Sequence, residues 1–256
     1  HGQVGQLAFA GAAGSPQTIL TTGPVTQNGL SAVGLFIDPV ISQVPTGVDD
    51  GGLVKSGQGM LILRGANTFG SPAGPTEVFN IAQGYVRLDS NAGTLGRANC
   101  ITTVPNGAVL LLNNPGNLTG SLQLKNGSTL GLIANSTLGA VGSTATVDVP
   151  LGGTTDIQLR DYFIPSTNTG NIVVNHRLTG AGTINLTGIE YVAGYNGGGV
   201  LQLRNTTNTF AGTINVGTNA VLESNPNTGG ATGNTFGTAT LNLAGGVLRI
   251  RDNTSN

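Results

Sequence analysis

The sequence holds one cysteine, Cys100, no tryptophan, and two histidines, His1 and His176. A lone thiol excludes an intrachain disulfide framework and a cysteine zinc site. Charge is scarce too: 10 basic and 11 acidic residues among 256, where an ordinary domain is about a quarter charged. Neither sign forms a block, so nothing steers the chain towards nucleic acid or an anionic membrane. No run of about 18 apolar residues could insert into a bilayer as a helix. No charged region followed by an apolar one opens the chain, so any signal peptide is expected to have been removed already.

What is abundant is glycine, 43 residues, with Asn and Thr close behind. The apolar residues, 38% of the chain, fall in strand-length runs such as Val109-Leu110-Leu111-Leu112, each ended by Gly or Asn. That punctuation is an all-β signature. It also recurs. Lys55-Ser-Gly57-Gln-Gly59-Met-Leu61-Ile-Leu63-Arg-Gly-Ala-Asn67-Thr68-Phe69 matches Gly197-Gly-Gly199-Val-Leu201-Gln-Leu203-Arg-Asn-Thr-Thr-Asn208-Thr209-Phe210. Downstream, Thr94-Leu-Gly96 corresponds to Thr235-Phe-Gly237.

Strands this short cannot bury a face alone. Joined by Gly and Asn-Gly corners, where positive φ costs little, they can coil and stack at about 4.8 Å per rung. A parallel β-helix is therefore expected over residues 51–256, with roughly 20–25 residues per turn. Residues 2–37 carry no charge, and residues 1–50 are read as an N-terminal cap, a strand arm, or the first irregular turns.

The pattern Lys-x-Gly-x-Gly-x-Leu-x-Leu-x-Gly-x-Asn-Thr-Phe at 55–69, followed by Thr76-Glu-Val78 and Gly84-Tyr-Val86-Arg-Leu88, resembles the autotransporter-associated β-strand repeat. The likeness is strong over 53–96, good over 197–250 and weak between. It implies a right-handed parallel β-helix, export and surface display, usually without catalysis.

The candidate chemistry is thin. Asp156, Arg160 and Asp161 beside Tyr162 form the densest polar patch and the candidate sugar contact. Polysaccharide-cleaving β-helices need paired carboxylates or a metal-bound base on one face, and no further acid–base partner lies near this patch. Asp49-Asp50 reads as a turn, His176 as a solvent-facing strand residue, and Cys100 as a small core residue. No catalytic residue, metal ligand or cofactor site is expected. The candidate assembly contacts are Leu7, Phe9, Ile19, Leu20, Leu35, Phe36, Ile37, Leu248 and Ile250, apolar residues near the two ends. The expected role is a structural extracellular or cell-surface solenoid, a stiff spacer, adhesin shaft or filament subunit. Its partners would be copies of itself or the rest of a longer parent chain. The alternatives are a surface-glycan binder using Tyr162, Tyr191 and Tyr195, and a polysaccharide-degrading enzyme.

Overall fold

The computed structural model describes residues 6–9, 17–21, 34–43, 52–69, 77–89, 95–97, 100–115, 117–161, 170–188, 199–226 and 234–251. Among them every regular element is a β-strand, and every strand pairing is parallel. The strands fall into sheets of nine, seven and six, plus a two-stranded sheet. The chain visits them in rotation. Ser121–Leu124 joins the seven-stranded sheet, Ser128–Ala134 the nine-stranded one and Ser136–Leu138 the six-stranded one; then Thr146–Val149 returns to the first. This is a parallel β-helix. Turn length varies from 20 residues, where Val109 pairs with Thr129, to 36, where Ser136 pairs with Ile172.

Strands from the first 50 residues take part. Gln17–Leu20 pairs with Leu53–Ser56, and Gly34–Ile37 with Met60–Leu63. Gln6–Phe9 pairs with Val40–Gln43 in the two-stranded sheet.

Period-2 alternation decides which side chains enter the core. In Thr213–Gly217, Ile214 and Val216 are buried while Thr213 and Asn215 are not. Because pairing is in register, inward residues of successive turns stack into columns. One runs through the whole nine-stranded sheet: Leu35, Leu61, Val86, Leu110, Leu130, Ile157, Leu186, Val216, Leu243. Every member is aliphatic. Leu35 and Leu243, at its ends, are 47% and 49% exposed, and every residue between them is buried. Each such burial contributes roughly 1.5–3 kcal/mol.

Some strands depart from alternation, Ala220–Ser224 being buried at all five positions. Met60–Leu63 and the first four residues of Val109–Asn113 are buried throughout. Their outward residues, Met60, Ile62, Val109 and Leu111, form a second apolar cluster with Tyr85 and Ile133. An unbroken apolar run marks a strand covered on both faces.

The Asn-Thr-Phe signature has a physical cause at each position. Asn67 Oδ1 accepts from the Ile41 amide at 2.9 Å, one turn earlier. Asn208 Oδ1 does the same for Leu178 at 2.6 Å, and its Nδ2 donates to the Thr235 carbonyl at 2.5 Å. These buried side chains replace ladder bonds where the backbone leaves a strand. Phe69 packs edge-on against Phe79 with ring centroids 5.6 Å apart, and Phe210 is fully buried. The glycines that follow are explained by the same packing. Gly96 and Gly237 both have positive φ, and a Cβ there would sit 2.8 Å from the Phe69 carbonyl oxygen and 2.5 Å from that of Phe210.

The two repeat copies lie on different faces. Met60–Leu63 belongs to the nine-stranded sheet, but its counterpart Gly199–Leu203 belongs to the six-stranded one. The Thr68 amide then bonds to Ile41, whereas the Thr209 amide bonds to Leu178 of the seven-stranded sheet. The repeat thus specifies a strand, a corner and the next strand, and is indifferent to which face it starts on.

Phe210→Ala is expected to cost about 3–5 kcal/mol. Asn208→Ala should cost about 1–3 kcal/mol by orphaning the Leu178 amide, while Asn242→Ala on the exposed surface should change stability by less than about 0.5 kcal/mol. Urea unfolding midpoints of the three variants check this order; equal losses would contradict it.

Candidate functional site

The titratable groups with shifted pKa values are mostly bound into the corners. Asp38, Arg64, Asp89 and Asn113 each follow a register-matched residue on consecutive turns (Ile37, Leu63, Leu88, Leu112). Buried Asp89 accepts from Arg64 Nε at 3.0 Å, Arg87 Nε at 2.5 Å and Asn113 Nδ2 at 2.7 Å. Burial alone would raise its pKa, but those hydrogen bonds and the Arg87 charge outweigh it and hold the carboxyl below its ordinary value. Glu223 repeats the logic on the six-stranded sheet. Burial raises it, but bonds from Gln202 and Arg249 with the Arg251 and Arg249 charges bring it below its ordinary value. Lys55 points inward beside Leu53, its ammonium bonded to the Gly57 carbonyl and, at 2.7 Å, to that of Gln83. Loss of hydration pushes it down to about 8.

His176 corrects the sequence reading. It is not a solvent-facing strand residue but fully buried. The chain turns at Asn175-His176, between Asn171–Val174 and Arg177–Gly180, so strand alternation does not extend to it. Its ring lies under the loop 139–145, and Nδ1 is 2.8 Å from Ser143 Oγ. Gly139 makes room, since a Cβ there would approach Nδ1 to 2.3 Å. Burial pushes the imidazole down to about 4, against a smaller upward pull from the Gly120 and Leu118 carbonyls. The Ser143 hydroxyl and the His176 ring share this hydrogen bond, with donor and acceptor set by the ring's tautomer. That is a serine–histidine pair, but a base so acidic is a weak one for activating a hydroxyl near neutrality.

The loop 139–145 divides two clefts. One, of about 290 Å³, is lined by Leu118, Thr119, Gly120 and the loop itself, with no charged side chain. The other, of about 390 Å³, is formed by the loop together with Asn175, Arg177, Arg204, Asn205, Thr206 and Thr207. Asn205 braces it, donating to the Asn175 carbonyl at 3.0 Å and accepting from the Thr207 amide at 2.8 Å.

The site residues expected from sequence lie elsewhere. Asp156 is exposed on the outer face of the nine-stranded sheet, where its carboxylate accepts from Asn185 Nδ2 at 3.0 Å. Arg160 and Asp161 continue the same strand, and the Asp161 backbone pairs with Leu132. Tyr162, Tyr191, Tyr195, Asp49 and Asp50 lie outside the described residues. Of the expected assembly contacts, Leu20, Leu35, Phe36 and Ile250 are exposed, Leu248 is partly buried against the core, and Ile19 and Ile37 are core residues. Leu7 and Phe9 lie in the Gln6–Phe9 strand. Cys100 is buried in the main core. The cleft beside Arg177 and Arg204 was not anticipated; its one sequence trace is that neither arginine has an acidic residue close by in the chain.

Comparison with family models, curated proteins and solved structures returned no match to the chain.

His176 titrates at about 4 in the folded chain and near 6.5 unfolded. Between those values the unfolded chain binds more protons, so stability falls as pH drops through this window, by up to about 3 kcal/mol. His176→Gln should flatten the stability profile between pH 6.5 and 5, above the carboxylate range. Lys55 behaves in the same sense at alkaline pH, since its folded pKa of about 8 lies below the unfolded value. Stability should therefore gain with pH from about 8 to 10.5, and Lys55→Met should remove that gain. Chemical denaturation across pH measures both slopes; unchanged slopes in the variants would refute the assignments.

Proposed function

We propose that the chain is a structural, non-catalytic β-solenoid of the cell exterior, serving as a stiff spacer, adhesin shaft or filament subunit. The observation that carries this reading is the aliphatic column from Leu35 to Leu243, which continues without interruption through nine in-register strands. Such a column couples every turn to the next and resists bending and unravelling. The resemblance of 55–69 and 197–210 to the autotransporter-associated repeat supports display outside the cell. Strongly shifted groups often mark catalytic centres, but structural ion-pair networks shift them too. Here Asp89 and Glu223 are neutralised by arginines, and Lys55 is bonded to backbone carbonyls. The natural partners are further copies of the chain or the rest of a longer parent chain. Inward-facing Leu243 and Ile250 are exposed, while Val216 and Ser224, their register partners, are buried.

Pulling the chain between its ends in a force microscope should release it turn by turn, in steps of about 70–120 Å for turns of 20–36 residues. Immunogold labelling of intact source cells should place it outside. Release of the whole chain at once would contradict the load-resisting role, and label confined to the cytoplasm would contradict the location.

A further inference from the structure

Of the arginines whose side chains are described, Arg64, Arg87, Arg249 and Arg251 each reach a carboxylate within 4 Å. Arg97, Arg177 and Arg204 reach none among the described residues. Two of those three line one cleft, the 390 Å³ groove beside the loop 139–145, and among the described residues no acidic one lines it with them. In a chain with ten basic residues, this is an uncompensated concentration of positive charge.

The two guanidinium groups are fixed at one edge each and open at the other. Arg177 donates from Nη2 to Thr209 Oγ1 at 3.2 Å, and Arg204 donates from Nε to Gln202 Oε1. Their remaining N–H groups have no acceptor among the described residues. Thr144 and Thr206 add hydroxyls that make no hydrogen bond among the described residues, and Val141, 67% exposed, offers a small apolar shelf. The floor is preorganised: Asn205 ties Asn175 to Thr207, and the buried His176 anchors Ser143 of the loop. Guanidinium forks match carboxylates with two parallel hydrogen bonds, while hydroxyls and a methyl-lined shelf suit the polar rim and apolar face of a pyranose ring.

We propose that this groove binds an acidic saccharide of the uronate class, with Arg177 and Arg204 receiving the sugar carboxylate and Thr144 and Thr206 its hydroxyls. The site is independent of the structural role proposed above. A shaft that carried it could hold to carboxylated glycans along its side, with no bond made or broken.

Titration calorimetry of the full chain with oligogalacturonate, dextran sulfate and neutral dextran tests the assignment. Oligogalacturonate should bind, more weakly as salt rises, and dextran should not. The double variant Arg177→Gln/Arg204→Gln, whose surface changes should leave the thermal midpoint in place, should lose at least tenfold in affinity. Arg97→Gln, at an arginine outside the groove with no carboxylate partner among the described residues, should leave affinity unchanged. The proposal fails if oligogalacturonate does not bind, if the double variant binds as well as the parent, or if Arg97→Gln weakens binding equally. Equal or tighter binding of dextran sulfate would reduce the effect to general polyanion attraction and also overturn it.

Discussion

Parallel, in-register pairing is the constraint on which everything else here depends. Each side chain in a strand lies about 4.8 Å from its equivalents on the turns before and after. A column of unlike sizes would leave voids, and a column of like charges would repel at close range. The sequence meets this column by column. The inward column from Leu35 to Leu243 is aliphatic throughout. At one corner, Asp38, Arg64 and Asp89 alternate in sign before ending on the amide of Asn113. On the outer face, Asp156, Asn185, Asn215 and Asn242 form a ladder in which each Nδ2 donates to the oxygen one turn earlier. Few charges are needed for such a structure, and few are tolerated, which accounts for the composition.

Corners are where the ladder is interrupted, and there buried polar side chains take over. Asn67 and Asn208 stand in for missing backbone acceptors. Lys55 gathers two carbonyls, and His176 with Asn175 holds the loop 139–145 against the body, Asn175 Nδ2 reaching the Gly139 carbonyl at 2.7 Å. Turn length can vary between 20 and 36 residues because the variation is absorbed at corners, leaving the strands in register. The clefts flanking that loop are a by-product of one such expansion, and so a function can be added without disturbing the core.

The repeat of Leu-x-Leu, Asn-Thr-Phe and Gly was legible in the sequence because each element has a local cause: alternation, a corner cap and a positive φ. The change of face between the two copies was not, since no residue of the repeat encodes which sheet it joins. The all-buried runs at Met60–Leu63 and Val109–Leu112 were visible as runs, but not what they meant, a second cluster on the outer side of the sheet. His176 was misread because a strand pattern was carried across a corner. The groove was illegible for a different reason: it is assembled from 141–144, 175–177 and 204–207, segments that only the coiling brings together.

Cysteine cross-linking in a Cys100→Ala background tests the stacking most directly. Asn215→Cys with Asn242→Cys places two thiols on adjacent register partners and should oxidise readily to a disulfide. Asn185→Cys with Asn242→Cys, two turns apart and so about 9.6 Å distant, exceeds disulfide reach and should stay reduced. A cross-link in the second pair as fast as in the first, or none in the first, would contradict the in-register helix.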